Sequence, residues 1–233
     1  MKICLISNLF SPYNRGGAEQ VVLNTLIGLK ERGHEVAVIT ARPIFASQNL
    51  GGQVSVRIYS FFPFNLFFYG HDYRHARLVR FFWHIFDTFN IHSYFKIKKI
   101  LRREKPDIVH THNLKGLGYL IPLAIRSLGI RHVHTLHDVQ LVNPSGIIIK
   151  GQEEPGGFSG FLISLYSRIC RGLFGSPEVV ISPSKFLLSF YQARGFFPNS
   201  RFAIIPNPVI KGGESPPNSK NGFTFLYLGQ IEE

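Results

Sequence analysis

Lys2-Ile3-Cys4-Leu5-Ile6-Ser7, then Asn14-Arg15-Gly16-Gly17-Ala18-Glu19, then an apolar run through Val21, Val22, Thr25, Leu26 and Leu29 closed by Gly33, decide the fold. The first piece is a short continuous run of β-type residues, as expected of a strand covered on both faces. The last repeats its apolar residues at three and four, as one face of a helix does, and a glycine stops it. Strand, glycine loop and helix in that order open a parallel α/β unit. Residues 35–40 read as a second strand and 54–59 as a third. The alternation then resumes, with helices over 94–103, 119–128, 161–173 and 185–193 and strands over 107–111, 131–136, 178–181 and 201–205. The expected fold class is α/β, a doubly wound parallel sheet over residues 1–206. Residues 207–222, with Gly212, Gly213, Pro216 and Pro217, read as a linker, and 223–233 as the start of a second α/β domain whose remainder is missing.

Composition narrows the class. The 233 residues carry 26 Lys and Arg against 14 Asp and Glu, a formal net charge of +12, and 45% are hydrophobic. That excludes a disordered or low-complexity chain. Only Cys4 and Cys170 are present, so a disulfide framework is excluded and a reducing, cytoplasmic setting is expected. The apolar start is shorter than a signal-peptide core and lacks a cleavage site. The longest apolar stretches are broken by Pro63, Asn65 and Arg168 before they reach membrane-spanning length, so the chain is expected to be soluble or to lie on a membrane surface.

Three groups of residues can carry chemistry. Gly16 and Gly17 let backbone N–H groups approach a ligand, and the helix start behind them offers partial positive charge to an anion, with Glu19 in its first turn. The spacing Gly-x-Gly-x-x-Gly is missing, which sets a nicotinamide dehydrogenase aside. His137 and Asp138 directly follow the strand over 131–136, at the sheet edge where ligands of doubly wound sheets bind. An imidazole there can hydrogen-bond a sugar hydroxyl or move a proton, with the Asp orienting it. His110, His112, His132 and His134 lie near His137, but without clustered Cys or Glu they read as strand histidines, and no metal is expected.

The third group is basic and aromatic. Leu78, Phe81, Phe82, Ile85, Phe86 and Phe89 form a helical apolar stripe, expected to pack on the sheet. Over 71–105, nine Lys and Arg, among them Arg74, Arg77, Arg80, Lys98 and Lys99, face three acids, a net charge of +6. The basic residues are expected to form a surface for anionic lipid or acceptor. No nucleic-acid recognition signature accompanies the charge, and nucleic acid is not an expected partner.

Gly16-Gly17-Ala18-Glu19, Lys30-Glu31-Arg32-Gly33-His34-Glu35-Val36, Lys105-Pro106-Asp107-Ile108-Val109-His110-Thr111-His112, Thr135-Leu136-His137-Asp138, Ile205-Pro206-Asn207-Pro208 and Phe225-Leu226-Tyr227-Leu228-Gly229-Gln230 occur together and in this order. On these motifs the chain resembles, over its whole length, the N-terminal half of a family 4 glycosyltransferase of the GT-B fold. The resemblance implies two Rossmann-like domains facing across a cleft. The N-terminal one mainly holds the acceptor and the C-terminal one most of the nucleotide-sugar donor. It further implies sugar transfer with anomeric retention to a glycan or lipid-linked acceptor, without a metal or other cofactor. Gly16, Gly17 and Glu19 would sit at the donor diphosphate, His137 at the donor sugar near the reacting carbon, and Asp138 would be an acceptor-side or supporting residue. With most of the donor site on the second domain, this chain is expected to be inactive alone, or to work with a separate C-terminal half. Two other readings remain: a non-catalytic acceptor-binding or membrane-associating module, and a GT-B-like sugar-nucleotide epimerase, which the glycine loop and the His137-Asp138 pairing fit less well.

Overall fold

The computed structural model describes residues 1–14, 16–45, 56–70, 75–148 and 157–208. Strands β1 (Lys2–Ser7), β2 (Glu35–Ala41), β3 (Arg57–Phe61), β4 (Ile108–Thr111), β5 (Arg131–Thr135), β6 (Val179–Ser182) and β7 (Arg201–Ile204) form one sheet. All are parallel, in the order β3-β2-β1-β4-β5-β6-β7. Helices α1 (Gly17–Glu31), α2 (Arg77–Thr88), α3 (Ile91–Glu104), α4 (Ile121–Arg126), α5 (Gly157–Phe174) and α6 (Lys185–Gln192) connect them. The expected second-domain strand and most of the linker fall outside the described residues.

The central strand shows why the sheet is covered on both sides. Ile3 and Leu5 of β1 pack with Val22 and Leu26 of α1 and Val36 and Val38 of β2. Cys4 and Ile6 point the other way, into the larger core with Ile97 and Leu101 of α3, Ile121 and Ile125 of α4, and Cys170 and Phe174 of α5. Successive side chains of a strand point to opposite faces, so an uninterrupted apolar run satisfies both layers. Both cysteines are free and buried, and burial pushes the Cys170 thiol up to about 12.

Element ends follow local chemistry. The third strand runs later than 54–59, starting at Arg57 and ending at Phe61. Asn90 accepts from Ser93 N, which starts α3 at Ile91 rather than 94. The helix expected over 119–128 shrinks to α4, because Tyr119 is spent in the core and Gly129, at φ +65°, ends the turn.

The larger correction concerns α2. Leu78, Phe81, Phe82, Ile85, Phe86 and Phe89 do not pack on the sheet; all six are exposed. The sheet face is taken by α3 and α4, which pack on each other. What α2 buries is a narrower inward face, Trp83, Asp87 and Thr88. Trp83 stacks on Phe67 and Tyr69 at 5.4 and 6.0 Å and donates from Nε1 to Phe67 O at 2.8 Å. Thus α2 rests on the segment 62–70 and presents its apolar stripe outward.

Candidate functional site

Between β1 and β4 the strand order reverses, so their following loops part and leave a crevice at the carboxyl edge of the sheet. Three strand ends are tied together there. Asn8, just past β1, donates from N to Asn113 O at 2.8 Å and from Nδ2 to Lys115 O at 2.8 Å. Asn113, just past β4, donates from Nδ2 to Asp138 Oδ2 at 3.3 Å, past β5. The glycine loop leaves from the same edge.

In that loop, Glu19 reaches back so that its carboxylate accepts from Gly16 N at 2.7 Å. This closes the first turn of α1 and places a buried carboxylate against the positive helix end. Neither glycine is required by the surrounding chain. Gly16 is extended at φ −165°, and a Cβ built at Gly16 or Gly17 meets no described atom within 4 Å. The open space beside these two residues is where a ligand can lie against the backbone.

The histidines divide between the two faces of the sheet. Register sets His132 and His134 beside Val109 and Thr111, and His110 beside Val133 on the opposite face. Thr111 Oγ1 bonds both His132 Nε2, at 2.7 Å, and His134 Nδ1, at 2.8 Å, while His110 Nε2 pairs with Thr135 Oγ1 at 2.7 Å. These three imidazoles therefore do not converge on one ion. Among the described residues no group of three or more His, Cys, Asp or Glu is placed to hold a metal.

His112 and His137 pair, Nδ1 to Nε2 at 2.9 Å, with rings stacked 5.2 Å apart, and the His110 ring lies 4.3 Å from that of His112. Burial holds His137 at about 4 and His112 well below its ordinary value, so both are neutral at pH 7 and one must donate to the other. Among the described residues no partner reaches the buried His112 Nε2. An orphaned lone pair is tolerated better than an orphaned N–H, which assigns the shared proton to His112 Nδ1. His137 then carries its own proton on Nδ1, as a neutral donor.

Asp138 is engaged by its neighbours. Its carboxylate accepts from Gln140 N and Nε2 at 2.8 to 2.9 Å and from Asn113, and Tyr191 donates to its carbonyl at 2.9 Å. Burial nonetheless raises the carboxyl above the usual range, outweighing those donors and the charge of Lys115. His112, Asn113, His134, His137, Asp138, Gln140 and Tyr191 line a shallow recess.

Lys115, in the loop after β4, is buried, with Nζ donating to Pro144 O at 2.8 Å and lying 5.2 Å over the Tyr69 ring. Next to it Gly116 N donates to Asp87 Oδ2 at 2.8 Å, which joins α2 to the loop after β4. Burial pushes the Asp87 carboxyl up to about 7, against the opposing pull of Gly116 N–H and Lys115.

The structure thus brings His137 and Asp138 to the same edge as Gly16, Gly17 and Glu19. Of the basic residues, Arg80 lies on α2 and Lys98 and Lys99 on α3, none of them in the recess. Arg74 lies outside the described residues, and of Arg77 only the backbone is described. Sequence reasoning missed Asn8, Asn113, Lys115 and Gln140 as site residues, and singled out His112 only as a metal candidate. The available signal was position: Asn8, His112 and Asn113 directly follow strands at the ligand-binding edge.

The family described as Glycosyltransferase Family 4 matches residues 15–210. A curated relative, an "Uncharacterized 42.6 kDa protein in cps region" of Klebsiella pneumoniae, is 27% identical over 210 residues, 90% of this chain and 56% of that protein. Among solved structures, a sucrose-phosphate synthase of Thermosynechococcus elongatus superposes with a TM-score of 0.57 at 15% identity, over 88% of this chain and 47% of that one. Phytolacca americana UGT2, complexed with UDP-2fluoro-glucose and pterostilbene, gives 0.51 at 12% identity, over 91% and 55%. The chain spans about half the length of these relatives, and at such identities the structures show a shared fold.

Proposed function

The chain belongs to glycosyltransferase family 4, and on that premise we propose that it takes part in moving a sugar from a nucleotide-sugar to a lipid-linked or polysaccharide-precursor acceptor at the cytoplasmic face of a membrane. Retention of the anomeric configuration and independence of metal belong to the same reading, carried by the family resemblance. One observation supports it above the others: the open glycine loop after β1 and the neutral pair His112–His137 stand at one sheet edge, joined through Asn8, Asn113 and Asp138.

The chemistry follows from these groups. When the bond to the anomeric carbon breaks, charge grows on the departing diphosphate, and fixed donors that meet it there lower the barrier. Glu19 already holds Gly16 N–H. The N–H groups of Gly17 and Ala18, in the first turn of α1, have no intrahelical acceptor and are the ones left to meet phosphate oxygens. His137 Nδ1–H donates to a hydroxyl of the donor sugar. As a neutral donor it orients the sugar without placing a positive charge beside an oxocarbenium-like centre. Asp138, bound by Gln140 and Asn113, is a positioning residue that fixes the loop bearing His137. A second Rossmann-like domain, implied by the resemblance, would supply the remaining donor contacts, and without it the domain binds but does not turn over.

The test is calorimetric titration of the 233-residue chain with UDP-, GDP- and dTDP-sugars, beside Gly17→Val and His137→Ala. Binding of one nucleotide class, lost in both variants while their circular dichroism stays native, is the expected result. Binding untouched by either substitution refutes the donor-side roles of these residues.

A further inference from the structure

We propose that the outward face of α2, continued by Ile91 and Phe95 of α3, inserts into a lipid bilayer bearing anionic headgroups. The surface stands on its own observations, whatever sugar or acceptor the recess takes. A 12-residue helix is about 18 Å long, and along it Leu78, Phe81, Phe82, Ile85, Phe86 and Phe89 are exposed, Phe82 at 48% and Phe86 at 53%. Phe64, against His92 of α3, and Phe95 are exposed as well, at 75% and 64%. An apolar patch of this extent on a soluble domain marks a binding surface.

Its charge selects the occupant. Over the described part of 75–105 the only two acids, Asp87 and Glu104, are buried, while Lys96, Lys99, Arg102 and Arg103 are exposed. Among the described residues of this segment the exposed charge is therefore all cationic. A second copy would bring the same cationic rim against itself, which disfavours a symmetric dimer through this face. An anionic bilayer satisfies both parts, acyl chains taking the phenylalanines and headgroups the Lys and Arg. Among the described residues no helix is long and apolar enough to cross a membrane, so the geometry is that of a helix lying in the interface. The inward side of α2 is tied to the loop after β4, where Asp87 Oδ2 accepts from Gly116 N at 2.8 Å. Insertion of this face would hold the carboxyl edge of the sheet close to the headgroups, where an acceptor carried in the same bilayer arrives.

The experiment is sedimentation of the full chain with vesicles of phosphatidylcholine alone and of phosphatidylcholine mixed with phosphatidylglycerol. Three proteins are compared: the unaltered chain, Phe82→Ser with Phe86→Ser, and Lys96→Gln with Lys99→Gln, Arg102→Gln and Arg103→Gln. Trp83, the single tryptophan, is 2% exposed on the inward side of α2, and its emission before lipid is added reports that each variant is folded. The unaltered chain is expected to bind the mixed vesicles. The phenylalanine pair is expected to cut the partition roughly tenfold or more at every salt concentration. The charge variant is expected to lose binding chiefly at low salt. Failure of the folded unaltered chain to bind mixed vesicles overturns the proposal, as does equal binding by the phenylalanine variant. It is also overturned if the phenylalanine variant instead abolishes self-association in sedimentation equilibrium without altering vesicle binding, which would make the face a contact between copies.

Discussion

Lowering the pH from about 7 to about 5 tests whether the histidines beside the site are buried as neutral groups. Burial holds His110 at about 4, His132 at about 3 and His137 at about 4, against an ordinary 6.5, and carries His112 and His134 lower in the same direction. With folded values below unfolded ones, the unfolded chain takes up protons first. The stability these groups contribute is complete above about 6.5 and is lost as pH falls toward the folded values. One pKa unit is worth about 1.36 kcal/mol, so at pH 5 each of the three loses about 2 kcal/mol, together about 6 kcal/mol. Asp87 works the other way. Its carboxyl, raised to about 7 from 3.8, binds a proton in the folded state first and returns about 2 kcal/mol over the same range. The net loss from these four groups is about 4 kcal/mol before His112 and His134 are added, a large share of the ~5–15 kcal/mol stability of a typical domain. Urea unfolding followed by Trp83 emission at the two pH values measures it, and Asp87→Asn, which removes the offset, should steepen the dependence. An unchanged midpoint, or imidazole resonances that titrate near 6.5 in the folded protein, would refute the burial of these rings as neutral groups.

Two other perturbations separate packing from binding. Trp83→Ala removes the anchor of α2 and its bond to Phe67 O, and should cost about 3–5 kcal/mol in a thermal or urea melt followed by circular dichroism; a loss under about 1 kcal/mol would mean that α2 is held otherwise. Gly118→Ala puts a Cβ 2.8 Å from Asn90 Cβ at a φ of +121° and should cost about 1–3 kcal/mol, whereas Gly17→Ala, with open space and an allowed backbone, should leave the unfolding midpoint within about 0.5 kcal/mol of the unaltered chain. Equal effects at the two glycines in the same melt would show that the loop at 16–17 is built for packing rather than for a ligand.

The α/β class, the glycine loop and most strand positions were legible in the amino-acid order, because a strand covered on both faces and an amphipathic helix each write their burial into neighbouring residues. Lys2–Ser7 carries its two-sided burial in one unbroken apolar run, and Gly16 and Gly17 announce an open backbone before a helix. The carboxyl-edge placement of His137 and Asp138 followed from their position just after a strand. The pairing of His112 with His137 did not, nor did the separation of His110 from His132 and His134, since both depend on the register of β4 against β5. The sequence by itself determined that residues 78–89 form a helix with one apolar stripe. Only the tertiary structure decided that the stripe faces outward, because α3 and α4 occupy the sheet and α2 is anchored through Trp83 and Asp87 instead. Periodicity records which residues share a face, but what covers that face is set by elements distant in the chain.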